Sequence, residues 1–407
     1  VSTTETTDAD TRPENTALTS GDFWAGDHHR ALAWMRRHEP VFWDEAGDIW
    51  GITRHADIKE VERQPELFSN AGGIRPETGP IPMMIDMDDP EHAQRRKLVS
   101  RGFTPRSVRA SEDAIRRACT EIIDAVAARG ECDFVRDIAA PLPMIMIGDA
   151  LGVAPEDRQQ LLTWSDDLLT GLTGLEDPAL MEKTVAAFAG FTEYMGQVIP
   201  DRRANPTDDL ISTLVHAEVD GDHLDESSLI HESLLILIGG DETTRHVISG
   251  GMYQLLRDPA QWRLLADDPS RIPVAVEEML RWVTPIKNMA RTVTRDVTFR
   301  GRDLREGQKL LLLFPSANRD EAVFDDPFRF DVTRQPNDHL AFGFGVHFCM
   351  GSNLARTELR IMFEEVLRRL PDLALVEPDE PAYRAANFVS GYEEMSVRFS
   401  PVAREGA

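Results

Sequence analysis

No apolar run in the sequence approaches the ~20 residues that cross a bilayer. The opening stretch, VSTTETTDADTRPENTALTSGD, is polar and acidic and lacks the hydrophobic segment of a signal peptide. A membrane span and a secreted leader are therefore not expected. A cytoplasmic protein is, with residues 1–20 as a disordered lead-in. Cysteine is scarce: Cys119, Cys132 and Cys349 are all there is, too few for a disulfide framework and too widely spaced for a zinc site. Bases are outnumbered, 44 Lys and Arg against 70 Asp and Glu, for a formal net charge of −26. That excess argues against nucleic acid and against an anionic membrane surface as partners. Repeats and dividing linkers are also missing, so residues 21–407 are expected to form one domain.

What the chain does have is enough apolar sequence, 42% of 407 residues, to bury a large core and a cofactor. VFWDEAGDIWGIT (41–53) reads as two strands around an Ala-Gly-Asp turn, and HADIKEVERQPELF as a helix. Residues 70–90, rich in Gly, Pro and Met, form a long loop of the kind that serves as a lid or binding loop. Helical patterns dominate from about 91 to 284, short β segments from 286 to 314, and irregular chain from 315 to 350. The expected fold class is mainly α with a minor β region.

Four local patterns carry chemistry. Cys349 lies in FGFGVHFCMG (342–351). In the following SNLARTELRIMFEEVLRRL, Leu359, Met362, Phe363, Val366, Leu367 and Leu370 recur at three- and four-residue steps, one buried face. Cys349 thus precedes a helix N-terminus, where free N–H groups and the helix dipole favour a thiolate. The neighbouring glycines let the backbone turn sharply and approach a partner closely. Cys119 and Cys132 read as plain core or helix residues. The second pattern is ESSLIHESLLILIGGDETTRHVISGGMYQLL, apolar all round at Leu234–Ile238 and so expected to cross the core. Gly239 and Gly240 are expected to interrupt that helix, each at about 1 kcal/mol against alanine. Thr243, four residues on, places its hydroxyl beside the Gly239 carbonyl and should open the helix locally. Third, Glu278 and Arg281 in VAVEEMLRWVTP share one helix face. Fourth, His92 and Arg96 stand one turn apart, Arg291 follows KNMA, and His347 precedes Cys349 by two residues; all four suit carboxylates.

Phe342, Gly345, Cys349 and Gly351 occupy the fixed positions of F-x-x-G-x-x-x-C-x-G. With the other patterns in order, the chain resembles the cytochrome P-450 family from about residue 21 to 400. The resemblance implies a single large helical domain with small β-sheets. Haem b would be buried between the long central helix and the helix after the cysteine loop, with the Cys349 thiolate as axial ligand to iron. It implies a monooxygenase. GGDET is similar to the family's oxygen-binding motif, in which Glu242 as acid and Thr243 as hydroxyl deliver protons while Asp241 is a polar neighbour. Glu278, Arg281 and Arg329 of PFRF match a buried network that holds the cysteine loop, and His92, Arg96, Arg291 and His347 match ligands of the haem propionates. No flavin or nicotinamide segment is visible, so the resemblance implies electrons from a ferredoxin and ferredoxin reductase. Residues 92–110 carry Arg95, Arg96, Lys97, Arg101, Arg106 and Arg109 without an acid. They read either as a solvated helix face or as a docking patch for an acidic electron carrier.

AGGIRPETGPIPMMIDMDDPEHAQRRKLVSRGFTPRSVR, GGDETTRHVISGG and RWVTPIKNMART are similar to the actinobacterial sterol side-chain hydroxylases. Those enzymes oxidise the terminal methyl of cholesterol or cholest-4-en-3-one, often onward to the carboxylic acid. The expected pocket is apolar, with Ile74, Met83 and Met84 from the long loop and Leu235, Ile238 and Gly239 from the central helix. Val283, Ile286 and Met289 would add to it after the Glu278 helix, and Phe388 and Val389 near the end of the chain. Two alternatives stay open. One is an ω-hydroxylase of methyl-branched fatty acids, for which Arg75 is the candidate carboxylate anchor, itself expected to be solvated. The other is a haem protein that binds a lipid or gas without turnover, against which the Glu242–Thr243 pair argues.

Overall fold

A computed structural model describes residues 12–14, 16–173, 177–219, 221–376 and 381–405. Most of the expected lead-in, residues 1–11 and 15, lies outside the described residues. Its inner edge needs correction, because packing begins before residue 21. Leu18 is fully buried beside Trp24, Leu32 and Met35. Its N–H donates to Asp44 Oδ2 at 2.7 Å, and Trp24 Nε1 donates to the Leu18 carbonyl at 2.8 Å. An apolar side chain with a core within reach enters it, and its backbone must then find partners.

Helices form the body. The longest, Glu226–Arg257, is capped by the Asp225 carboxylate, which accepts from the Ser228 N–H at 2.7 Å; an acid opens the helix and Arg257 closes it, both matched to the dipole. At 32 residues it spans about 48 Å. The helices Pro141–Ala150, Ile272–Val283 and Ser352–Arg369 pack on it, which is why it is apolar on all sides at its centre. The interruption expected at Gly239 and Gly240 does not occur: the helix continues through both. Close approach explains Gly240, since a Cβ there would lie 2.4 Å from Ile147 Cδ1 on the neighbouring helix. Among the described residues no helix is long and apolar enough to cross a membrane.

The largest sheet has five strands in the order Val41–Asp44, Ile49–Ile52, Lys309–Leu313, Asn288–Val293 and Phe68–Ser69. The first two are the expected hairpin, with Val41 opposite Ile52. Lys309–Leu313 sits at the centre, parallel to Ile49–Ile52 and antiparallel to Asn288–Val293. Both its faces are covered, so its leucines are continuous rather than alternating. That register sets Arg291 opposite Leu310 and Met289 opposite Leu312, which delivers both residues to the site.

Candidate active site: a cysteine loop and an apolar cluster

The cysteine loop closes on itself, the Cys349 N–H donating to the Phe342 carbonyl at 2.9 Å. Gly345 has φ +69°, and a Cβ on it would lie 2.6 Å from the Glu62 carbonyl oxygen. Conformation and space therefore both demand glycine there. The helix after the loop starts at Ser352 with Gly351 as its cap, so Cys349 sits just ahead of an N-terminus as expected. Burial raises its thiol pKa, while a bond from the Gly351 backbone and the charges of Arg96 and Arg356 oppose that rise. At Cys119 and Cys132 burial pushes the pKa up, to about 12 at Cys132, with nearby carboxylates adding to it. Cys119 is a buried core thiol and Cys132 a half-buried strand thiol, both held protonated.

The four expected cations gather at this loop. Arg96 Nη2 donates to the Phe348 carbonyl at 2.5 Å. The rings of His92 and His347 stack with centroids 4.0 Å apart. Burial lowers both imidazoles, His347 to about 2 with His92 adding to the effect, so both are neutral near pH 7. His92 Nδ1 is 3.2 Å from Asp89 Oδ1, and its buried Nε2 has no partner among the described residues. Arg291 Nη1 donates to the Ala290 carbonyl at 2.8 Å, and Nη2 lies 3.4 Å from Glu62 Oε1. Burial raises the Glu62 carboxyl to about 7 against the charge of Arg291.

On the central helix, Thr243 Oγ1 donates to the Gly239 carbonyl at 2.8 Å. A Cβ on Gly239 would meet nothing within 4 Å among the described residues, so this stretch borders open space. Glu242 is fully buried and bonded to Arg245 and to Arg384 Nη1 at 2.8 Å, with His246 Nε2 standing 3.2 Å from its Oε2. Burial pushes its pKa up, but His246 and Arg245 more than offset this and hold it well below the usual carboxylate range. Arg245 also reaches Asp166 Oδ1 at 3.3 Å. That half-exposed acid is raised to about 7 by burial and by Glu242. Asp241 is fully buried with neither carboxylate oxygen partnered among the described residues, and burial, then Glu242, raises it to about 8.

Glu278 and Arg281 are fully buried and joined by two bonds of 2.7 Å. Arg329 needs correction. Its side chain is exposed, and only its carbonyl joins the network, accepting from Arg281 Nη2 at 3.2 Å. The arginine that reaches Glu278 is Arg334, at 3.2 Å, because residues 329–334 turn so that Arg334 faces inward.

Of the expected pocket, Ile74, Ile238, Ile286, Met289, Phe388 and Val389 do come together, joined by Leu169 and Ile85. The walls are stitched through backbone. Ala290 N–H donates to the Ile74 carbonyl at 2.7 Å, Lys287 N–H donates to the Phe388 carbonyl at 2.8 Å, and Ile286 bridges Val389. Met83, Met84 and Leu235 instead pack into the helical core, the Met84 N–H tied to Glu232 Oε1 at 2.9 Å. Val283 packs against the other helical core, close to Gly250. Arg75, expected in solvent, is only 3% exposed. The basic stretch is partly engaged: Arg95 pairs with Glu232 at 3.3 Å and Arg101 donates to the Glu218 carbonyl at 2.7 Å, while Arg106 and Arg109 are exposed.

Glu62, Asp166, Arg245 and Arg384 escaped the sequence reading. Only Arg245 had a signal, standing three residues after Glu242 just as Arg281 follows Glu278.

The donor set fits haem on its own chemistry. A soft sulfur ligand stands beside two arginines and an imidazole nitrogen that lacks a partner, suited to iron and to two carboxylates of a macrocycle. A fold of helices around such a loop, with an apolar cluster from the central helix and the neighbouring strands, defines a haem-thiolate protein. A family model for cytochrome P-450 matches residues 272–380. The steroid C26-monooxygenase of Mycobacterium tuberculosis is 57% identical over 386 residues, 94% of this chain and 97% of that protein. The methyl-branched lipid omega-hydroxylase of Mycobacterium bovis is 37% identical over 409 residues, covering 94% of each. A solved cytochrome P-450 of Mycobacterium marinum, in complex with pseudoionone, superposes with a TM-score of 0.87 at 35% identity, over 96% of this chain and all of that one. The chain belongs to the cytochrome P-450 family. It is a monooxygenase that carries haem on a cysteine thiolate, and it uses dioxygen, a redox partner and a lipophilic substrate.

Proposed function

We propose that this enzyme hydroxylates the terminal methyl of a sterol side chain, that of cholesterol or cholest-4-en-3-one, and carries it on to the carboxylic acid. It works in the cytoplasm, on electrons from a ferredoxin and its reductase. The observation that carries the reading is the apolar cluster of Ile74, Leu169, Phe388 and Val389 with Ile238, Ile286 and Met289, in a chain closely similar to a steroid C26-monooxygenase.

Haem, held by Cys349, supplies dioxygen activation: one oxygen atom enters the substrate and the other leaves as water, on two electrons and two protons. The chain's own residues do the rest. Phe342, Gly345 and Gly351 shape the loop, and His92, Arg96, Arg291 and His347 hold the propionates. Thr243 holds a proton at Oγ1. Glu242 passes protons inward from Asp166 on the solvent side, releasing one of its cations as it does so. A terminal C–H bond is stronger than that of its branched neighbour, so orientation must decide the position oxidised. The long apolar wall supplies that orientation.

The fatty-acid alternative has support from the Mycobacterium bovis relative, but it needs a free cation for the carboxylate. Arg75 is committed to Asn288, Asn387 and Glu77, so a neutral lipid fits better. The deciding experiment is an optical titration of the ferric protein with cholest-4-en-3-one and, separately, a methyl-branched long-chain fatty acid. A saturating low-to-high-spin shift with the sterol alone is expected. A shift with the acid alone would overturn the sterol reading, and oxidation confined to the sterol rings would overturn the terminal position.

A further inference from the structure

Arg75 stands where three segments of the apolar cluster meet. Its Nη1 donates to Asn288 Oδ1 at 2.8 Å and its Nη2 to Asn387 Oδ1 at 2.9 Å, and Glu77 Oε2 lies 3.2 Å from Nη2. Asn288 Nδ2 donates to the Asn387 carbonyl at 2.7 Å, and Asn387 Nδ2 donates to Glu77 Oε1 at 2.5 Å and to the Thr19 carbonyl at 2.6 Å. The guanidinium carbon lies 4.4 Å from the centroid of the Phe388 ring. Arg75, Asn288 and Asn387 are all buried.

A charge this deep is costly unless fully paired, so its retention calls for a role. The connectivity suggests one. Each member of the network is the chain neighbour of a wall residue: Arg75 of Ile74, Asn288 of Met289, Asn387 of Phe388. Asn288 and Met289 are neighbours in a strand and so face opposite sides, while residues 74–75 and 387–388 lie in bends. A polar clasp on these three segments fixes the backbone from which the apolar side chains extend, and at Phe388 the guanidinium bears on the ring directly. Only a planar fork reaches two asparagines while lying on an aromatic face; the single ammonium of lysine does not.

We propose that Arg75 is a positioning residue that sets the width of the cavity: it clasps the 70–90 loop, the Asn288 strand and the chain before Phe388, and presses on the Phe388 ring, so that only the tip of a lipid chain reaches the reacting centre. Its effect on product rests on the terminal-hydroxylation reading; its effect on the wall does not.

The test compares wild type, Arg75→Met, Arg75→Lys and, from the opposite side of the clasp, Asn387→Ala, all as holoenzyme. Two readouts are taken: hydrogen exchange of residues 70–90 and 384–390, and the distribution of oxygenated products of cholest-4-en-3-one. Arg75→Met and Asn387→Ala should each speed exchange in both segments roughly ten-fold and move product from the terminal methyl to neighbouring carbons. Arg75→Lys should restore neither fully. A merely structural role would lower the unfolding midpoint without redistributing product, and unchanged product ratios in variants that exchange faster would overturn the proposal. If wild type leaves the sterol unoxidised, the terminal-hydroxylase reading falls separately. Exchange then decides alone, and faster exchange confined to one segment, or none, overturns the clasp.

Discussion

Glu278→Gln is the sharpest stability test the structure offers, because it changes charge while keeping shape. Glu278 receives two 2.7 Å bonds from Arg281, one of 2.9 Å from the Asp331 N–H and one of 3.2 Å from Asn337 Nδ2, and it pairs with Arg334. Arg281 otherwise meets neutral groups, the carbonyls of Asn318, Pro327 and Arg329 and the rings of Trp282 and Phe324. Arg319 lies close enough that burial and then the charge of Arg281 push its pKa down. The amide would leave a guanidinium at zero exposure beside two others. Two charge-assisted bonds at roughly 1.5–3 kcal/mol each, or one partner removed from a buried pair at about 3–5 kcal/mol, give the same answer. Against a typical net stability of about 5–15 kcal/mol, the loss is about a fifth or more. Urea unfolding followed by tryptophan fluorescence reads it, with Trp282 stacked 4.2 Å under Arg319 as a local reporter. The thiolate band of the carbon monoxide complex should fail first. Asn318 accepts from Arg281 through its carbonyl, and from the Leu340 N–H at 2.7 Å through its side chain, while Leu340 accepts from Gly343 in the cysteine loop. A loss under about 1 kcal/mol with an unchanged denaturant slope would refute the claim that Glu278 neutralises an otherwise unpaired buried charge.

Four further outcomes are expected. Glu358 is buried and its carboxyl pushed to about 8, by burial and then by Asp241. The folded state therefore holds the proton more tightly than the unfolded state, and native stability falls as pH rises from about 4.5 toward about 8. Glu358→Gln should thus stabilise increasingly between pH 5 and pH 8 in urea unfolding, and an equal effect at both values would count against the assignment. Thr243→Ala should lower product per electron roughly ten-fold or more while Thr243→Ser preserves it; unchanged yield removes the proton role. Gly239→Ala should gain about 1 kcal/mol of helix stability, since its Cβ meets open space, yet raise the half-saturation of the sterol spin shift; tighter binding would mean the space lies away from the substrate. Neutralising Arg101 and Arg106 should slow reduction at low salt and flatten its salt dependence, and if neither changes the docking role is lost.

Local pattern was readable from the chain alone where one element carries it. The hairpin at 41–53, the leucine strand, the cysteine loop and the Thr243–Gly239 bond depend on spacing of four to twelve residues, and each forms. Pocket membership was harder. Met83, Leu235 and Val283 are as apolar as Ile74 and Phe388, and hydropathy reports that a side chain is buried without reporting against what. Arg329 and Arg334 differ only in which way an irregular turn faces them. Asp166, Arg384 and Glu62 join the site from elements distant in sequence, so no periodicity marks them.

Two pairs of identical spacing show how surroundings divide structure from chemistry. Glu278–Arg281 and Glu242–Arg245 are both acid and arginine three apart on a helix, and both acids are fully buried. The first is shared with no other acid: its further partners are backbone groups, Asn337 and Arg334, and among the described residues no second carboxylate pairs with Arg281 or Arg334. The second opens outward, since Arg245 and Arg384 also contact Asp166, whose side chain is 40% exposed. It also lies next to Thr243, on the stretch of helix that borders open space. An acid held ionised by cations that are themselves shared with a surface carboxyl can exchange partners without leaving a charge bare, because Asp166 takes up what Glu242 releases. The same pair is thus a clamp where no second acid shares its arginine and, on the proton-delivery role proposed above, a relay where a half-exposed one does.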